Sequence, residues 1–282
     1  MVKAGADGIA SDMLPLVSGD NGKVSLVLPG SSIKGALREH AERVVRTVKL
    51  DTAPDWLRET DPKKRFLSAV EMELIDELFG KRGQKDKDQE DHGEKDKDRE
   101  SNDSGSESWR PGLGALSVRD CYATQKLSRQ QWQAIEAASD DVQLQQALRQ
   151  AGLEKWSQAY HVAVDRWLGS AAEAMLYTVL EPHAVQWEPI CLEVNLARLP
   201  EDKQLAAVAL LLVVLRDLAR GFLPLGFATH RGMGAVRVSQ MTIVGHALGG
   251  EWNGFQQAQI PGDKLSALPS NVLALLEDAW RK

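Results

Sequence analysis

Residues 81–110, KRGQKDKDQEDHGEKDKDRESNDSGSESWR, hold 8 Lys/Arg and 10 Asp/Glu with one aromatic, Trp109, and leave the flanking stretches to build any core. Such a segment cannot bury enough apolar surface to offset the entropy of ordering it. It reads as a disordered charged loop inserted into a folded chain. Its charge is −2, so of the chain's −6 the remainder carries −4. A globally basic nucleic-acid binder is disfavoured, and basic patches have to be local.

The 282 residues suffice for one large domain, read here as 1–282, without a stapling metal or disulfide. Two cysteines, Cys121 and Cys191, support neither a disulfide framework nor a thiolate zinc site, which fits a reduced cytoplasm. The longest uncharged apolar run, Leu205 to Leu215, is well short of the ~20 residues that span a bilayer and reads as a buried helix. MVKAGADGIASD has no secretory apolar core, so no membrane association and no export are expected.

Periodicity fills in the rest. VSLVL (24–28) reads as a strand, PGSS as a turn, and Ile33, Ala36, Leu37, Ala41, Val44, Val45 and Val48 recur on one helical face, with Ser31 or Ser32 as N-cap. Helices are expected over 62–79, as one or two elements within 128–156, over 202–220 and over 271–281. Strands are expected at 115–120, 161–166, 173–181, 189–199 and 235–244, with 121–160 as a helical insertion and 161–181 as a hairpin. Strand-helix-strand units occurring twice suggest an α+β, ferredoxin-like (RRM-like) layout.

Two segments could carry chemistry. Gly30-Ser31-Ser32 leads into a helix bearing Lys34 and Arg38 one turn apart, which fits either a phosphate site at a helix N-terminus or a capped surface helix. In GFATHRGMG, glycines surround His230 and Arg231, with Arg237 beyond; these residues suit phosphates and bases, and equally a plain hairpin loop. Trp167 lies in a turn where nothing local buries it. The six histidines are scattered, and no zinc, P-loop or GxSxG motif occurs.

LPGSSIKGALRE (28–39), LFG (78–80), GALSVRD (114–120), VAVDRWLGSAAEAMLYTVLE (162–181) and LGFATHRGMGAVRV (225–238) occur in the order seen in the RAMP superfamily. More narrowly, the chain resembles backbone subunits of type III CRISPR interference complexes. The resemblance implies a ferredoxin-like core that stacks with other RAMP subunits along a guide RNA, and a thumb hairpin that interrupts the guide–target duplex. It implies that Ser31, Ser32, Lys34 and Arg38 hold guide phosphates with His230, Arg231 and Arg237 assisting, and that Arg166 and Trp167 lie on the thumb. Base pairing then carries sequence specificity. It also implies target RNA as a partner and an aspartate of the first loop as the cleaving group: Asp12 first, three residues before Pro15, and Asp7 second, with Mg²⁺ as a candidate cofactor held by Asp12. Family members carry a complete first strand where only Met1 to Lys3 precede the loop, so that strand is expected to be missing here or to come from a larger polypeptide.

Three readings follow. The first is a guide-binding subunit that cuts target RNA, and the second is a structural subunit without catalysis. The third is a metal-independent guide-processing ribonuclease using histidine, for which only His40 lies near the first helix.

Overall fold

A computed structural model describes residues 10–51, 60–62, 64, 72–81, 112–165, 167–245, 252, 255 and 257–281. Of the sequence expectations, Asp7, Arg166, the first three residues and all of the charged insertion but Lys81 lie outside them. The described strands are β1 (Val17–Asp20), β2 (Lys23–Leu28), β3 (Leu116–Val118), β4 (Cys121–Tyr122), β5 (Ser157–Val164), β6 (Ala171–Glu181), β7 (Leu192–Val194), β8 (Gln240–Val244) and β9 (Gln257–Pro261). The helices are α1 (Gly30–Asp51), α2 (Glu73–Phe79), α3 (Arg129–Glu136), α4 (Asp141–Gln150), α5 (Gln204–Ala219) and α6 (Ser270–Arg281). The fold is mixed α and β. Among the described residues its strands form four antiparallel sheets, β1-β2-β4, β3-β7, β5-β6 and β8-β9.

Three apolar clusters share this framework. Ile33, Leu37 and Ala41 of α1 meet Ile75, Leu78 and Phe79 of α2 and Ala207, Leu210, Leu211 and Val214 of α5. Leu14 and Leu26 pack with Trp132, Ile135, Leu144, Leu148, Trp156 and Leu180. Ala209 and Leu212 face Ile260, Val272 and Leu276. Helix α5 therefore serves two clusters, which is why the run Leu205 to Leu215 is apolar all round. No described helix is long and apolar enough to cross a membrane.

Local chemistry sets the boundaries. The 128–156 region forms two helices because Ser128 and Gln131 make a reciprocal capping box and the Asp140 carboxylate accepts from the Gln143 N–H. The expected helix over 62–79 is interrupted: Met72 is extended and caps α2, and its side chain is buried in the first cluster. The expected strand at 189–199 is formed only over Leu192–Val194, because Asn195 opens a 3₁₀ turn by accepting from the Ala197 N–H. β9 was not anticipated.

The strand expected at 235–244 is laddered only over Gln240–Val244. Upstream, half-buried Val236 and Val238 alternate with exposed Ala235, Arg237 and Ser239, which is strand periodicity outside the described ladders; the Ser239 carbonyl accepts from the Gly262 N–H at 2.9 Å. A groove of about 2170 Å³ lies beside this segment, lined by stretches of 181–197 and 231–245 and by Ile33, Leu37, Leu211 and Leu215.

Two glycine contacts fix the chain at the root of the insertion. A Cβ on Gly114 would run into the backbone of Leu78, Phe79 and Gly80. Gly80 has φ 98°, and a Cβ there would stand 3.0 Å from the Gly112 oxygen. The chain thus leaves after Lys81 and returns at Gly112 beside its point of departure.

Candidate nucleic-acid interface

Helix α1 starts at Gly30, two residues earlier than a Ser31 cap would allow. The Pro29 carbonyl accepts from the Ser32 and Ile33 N–H groups, and the Gly30 N–H donates to the Asp120 carboxylate at 2.7 Å. A carboxylate at the positive end of the helix does the work assigned to Ser31 or Ser32, which are instead exposed in the first turn. Gly30 is required because a Cβ would strike the Val118 carbonyl.

Lys34 and Arg38 turn inward. Lys34 Nζ donates to the Leu116 carbonyl at 2.6 Å, and burial, with the Arg38 charge beside it, lowers its pKa. Arg38 pairs with Asp76 at 2.7 Å and Glu42 at 2.9 Å and also donates to the Gly80 carbonyl. The face of α1 that reads as solvated in sequence packs on β3 and α2. Arg38→Ala strands partly buried acceptors on α2, and hydrogen bonds to charged groups are worth about 1.5–3 kcal/mol. We expect that substitution to lower stability in urea unfolding by roughly 2–3 kcal/mol; a loss below about 0.5 kcal/mol would contradict the role.

The hairpin β5-β6 carries Trp167 and Leu168 at its turn, 96% and 79% exposed. Asp165 builds that turn: its carboxylate accepts from the Trp167 and Leu168 N–H groups at 2.7 and 2.9 Å. Tyr160, Val162, Val164 and Leu176 are also exposed, so the hairpin presents apolar side chains to solvent.

At its root, β6 meets two remote segments. Met13 pairs in parallel with Val179, its N–H donating to the Thr178 carbonyl and its carbonyl accepting from Leu180. One residue earlier the ladder ends, because Asp12 Oδ2 takes the Thr178 N–H at 2.7 Å where a strand carbonyl would otherwise accept it. The Thr178 hydroxyl completes the clasp, donating to Asp12 Oδ2 and accepting from the Asp12 N–H, both at 2.9 Å. These donors, the Thr178 N–H first, lower the Asp12 pKa. Among the described residues both hydrogen bonds to the carboxylate fall on Oδ2.

On the other segment, the Leu225 N–H donates to the Gly234 carbonyl at 2.9 Å and closes the glycine-rich loop. Gly234 has φ 81°, and a Cβ there would meet the Leu225 carbonyl. Within the loop Thr229–Arg231 forms a 3₁₀ turn, and Arg231 donates to the Tyr177 hydroxyl. Tyr177 stacks on His161 across the hairpin, with ring centroids 5.4 Å apart. His161 and His183 lie 3.3 and 3.7 Å from the two oxygens of Glu181. His230 and Arg237 are exposed.

The structure thus brings Asp12 and Arg231 to adjacent residues of one strand. Ser31 and Ser32 lie apart at the start of α1, and Lys34 and Arg38 serve the interior. Sequence reasoning missed Thr178, Tyr177, His161, Glu181 and His183. Thr178 lies 166 positions from Asp12, so no spacing signal links them; the hairpin register, His161 opposite Tyr177 and Ser157 opposite Glu181, could have placed His161, Tyr177 and Glu181 on one face, whereas His183 lies beyond the strand. His40, the histidine near the first helix, is 7% exposed and bonds Asp217 at 2.9 Å. It is a core residue and does not reach solvent as a catalyst would need.

Among the described residues no group of three His, Cys, Asp or Glu could hold a metal ion. Asp12 offers a single carboxylate oxygen. That fits Mg²⁺, which keeps several waters and often takes one carboxylate with substrate phosphates, only when RNA supplies further oxygens.

No curated protein matches the chain at a significant level. A family model described as RAMPs, RAMP superfamily, matches residues 15–237, a span that takes in the PGSS helix, the hairpin and the glycine-rich loop and begins three residues after Asp12.

Proposed function

Since this chain belongs to the RAMP superfamily, a family of CRISPR-associated RNA-binding proteins, we propose that it is a guide-RNA-binding backbone subunit of a type III interference complex that cuts target RNA with Asp12. The observation that carries the reading is the junction at β6, where the first loop and the glycine-rich loop, remote in sequence, bond to neighbouring residues of one exposed apolar hairpin. In this reading β5-β6 is the thumb, and its exposed Trp167 and Leu168 wedge into the guide–target duplex. The β1-β2-β4 and β3-β7 ladders with the 235–239 segment form a ferredoxin-like palm. Neighbouring RAMP subunits, guide RNA and target RNA are the partners.

Ser31, Ser32, His230, Arg231 and Arg237 contact guide phosphates, with Arg166 near the thumb. Lys34 and Arg38 hold α1 against β3 and α2, so they shape the surface and do not touch RNA. Cleavage by the ribose 2′-hydroxyl needs that group deprotonated and in line with the leaving oxygen. Asp12, kept ionised by Thr178, draws that proton with Oδ1. Mg²⁺, when bound there, supplies charge to the phosphate.

The test is salt-dependent RNA binding. Arg231→Ala and Arg237→Ala should each weaken binding to unrelated guides alike and reduce the slope of log K against log salt by roughly 1, as for a lost phosphate contact. Unchanged slopes in both variants would remove the phosphate reading.

A further inference from the structure

Among the described residues strand β7 is laddered along one edge only. Its bonds to β3 run through alternate residues, the Arg119 N–H donating to the Cys191 carbonyl at 3.1 Å and the Asn195 N–H to the Ala115 carbonyl at 3.0 Å. Antiparallel pairing alternates, so the N–H and carbonyl groups of Leu192 and Val194 point away from β3. On that side lies the large groove, which β7 lines and β3 does not. Its opposite wall is the 235–239 segment, whose backbone from Ala235 to Val238 makes no hydrogen bond among the described residues. Leu192 and Val194 on one wall and Val236 and Val238 on the other pack against the same apolar cluster, which Leu37 of α1 and Leu211 of α5 join at the floor of the groove. Two rows of unbonded backbone thus flank an apolar floor laid over one pair of helices.

We propose that this groove is a docking site for one β-strand supplied by a separate polypeptide chain, an extended segment with apolar side chains at alternate positions. An extended peptide presents N–H and carbonyl groups to both sides, so one strand meets both rows of backbone while its apolar residues cover the floor. Left open, such edges are templates for uncontrolled pairing. The solvent-facing positions of the incoming strand pass between Glu193 and Arg237, both exposed, which suits uncharged polar side chains there. Within this chain residues 1–9, MVKAGADGI, contain two glycines and no two large apolar residues at alternate positions, so they do not match the occupant. The inference is independent of RNA binding.

The probe is an acetylated, amidated heptapeptide with valine at its second, fourth and sixth positions, threonine at the third and fifth, and lysine at both ends, titrated into the full chain. We expect saturable binding, with hydrogen exchange slowed at Leu192, Val194 and 235–238 when the peptide is bound. N-methylation of the three valines in one peptide, and of the two threonines in another, blocks the donors to one edge and then to the other. Each should weaken binding by roughly tenfold or more. Val194→Pro removes a donor that β3 does not use and should weaken binding similarly; the methylated peptides, titrated into the wild type, give the answer whether or not that variant folds. Absence of saturable binding overturns the slot. So does loss on methylating only one set, because a strand added to a single edge needs only one set of donors. Peptide bound without slowed exchange at these residues lies elsewhere and overturns it too. Slowed exchange there in the chain alone, whether constant or rising with protein concentration, gives the slot to this chain's own residues or to a second copy and overturns the separate donor.

Discussion

Asp12→Ala, assembled with guide RNA and partner subunits, should bind target RNA as the wild type does and lose metal-dependent cutting opposite this subunit by roughly 10²–10⁴-fold. Thr178 holds the carboxylate, its N–H and hydroxyl both donating to Oδ2. Those bonds favour the ionised form and lower the Asp12 pKa. A depressed carboxylate is fully ionised above its ordinary value and loses its charge only as pH falls through the lowered one. The acid limb of the rate profile should therefore lie below the ordinary carboxylate range. Thr178→Val keeps the backbone bond and removes the hydroxyl, so the limb should move up in pH. An unmoved limb would deny Thr178 its role. Undiminished cutting by Asp12→Ala, with loss on Asp7→Ala, would transfer catalysis to Asp7, and loss in neither would favour the structural subunit.

The second large effect is on folding. At Gly114 a Cβ would meet the backbone of Leu78, Phe79 and Gly80, and backbone cannot swing aside as a side chain can. Overpacking usually costs 1–3 kcal/mol, and with backbone on both sides Gly114→Ala should cost about 3 kcal/mol or more. Chemical unfolding would show a lowered midpoint, and a shift of under about 1 kcal/mol would contradict the close approach. Replacing residues 82–111 by a short linker should by contrast leave the midpoint nearly unchanged, because the chain departs and returns at one place.

Elements whose pattern depends on near neighbours were legible. Helix α5 follows from an unbroken apolar run, helical content within 128–156 from its Gln, Ala and Leu, and the hairpin from two strands around WLGSA, while the caps at Ser128 and Asp140 decide that 128–156 holds two helices. Features set by distant partners were not. Lys34 and Arg38 have the spacing of a cationic face, yet their donors go to the carbonyls of Leu116 and Gly80, 82 and 42 positions away. The Ser31 or Ser32 cap was displaced by Asp120, 90 positions from Gly30. The strands at 189–199 and 235–244 shortened because alternation signals which residues can face a core, whereas a ladder also needs a neighbouring backbone. At the candidate site Arg231 and Asp12 were visible as residue types, but the strand that joins them was not.

Where a strand carbonyl would continue the pairing beside Thr178, a side-chain oxygen of Asp12 takes its place. The Asp12 carboxylate is thereby a rung of the hairpin's own ladder and travels with it. In a filament of such subunits, each hairpin would act as both the wedge and the datum from which the cut is measured. Cut positions would then repeat with the subunit pitch, indifferent to the bases lying between them.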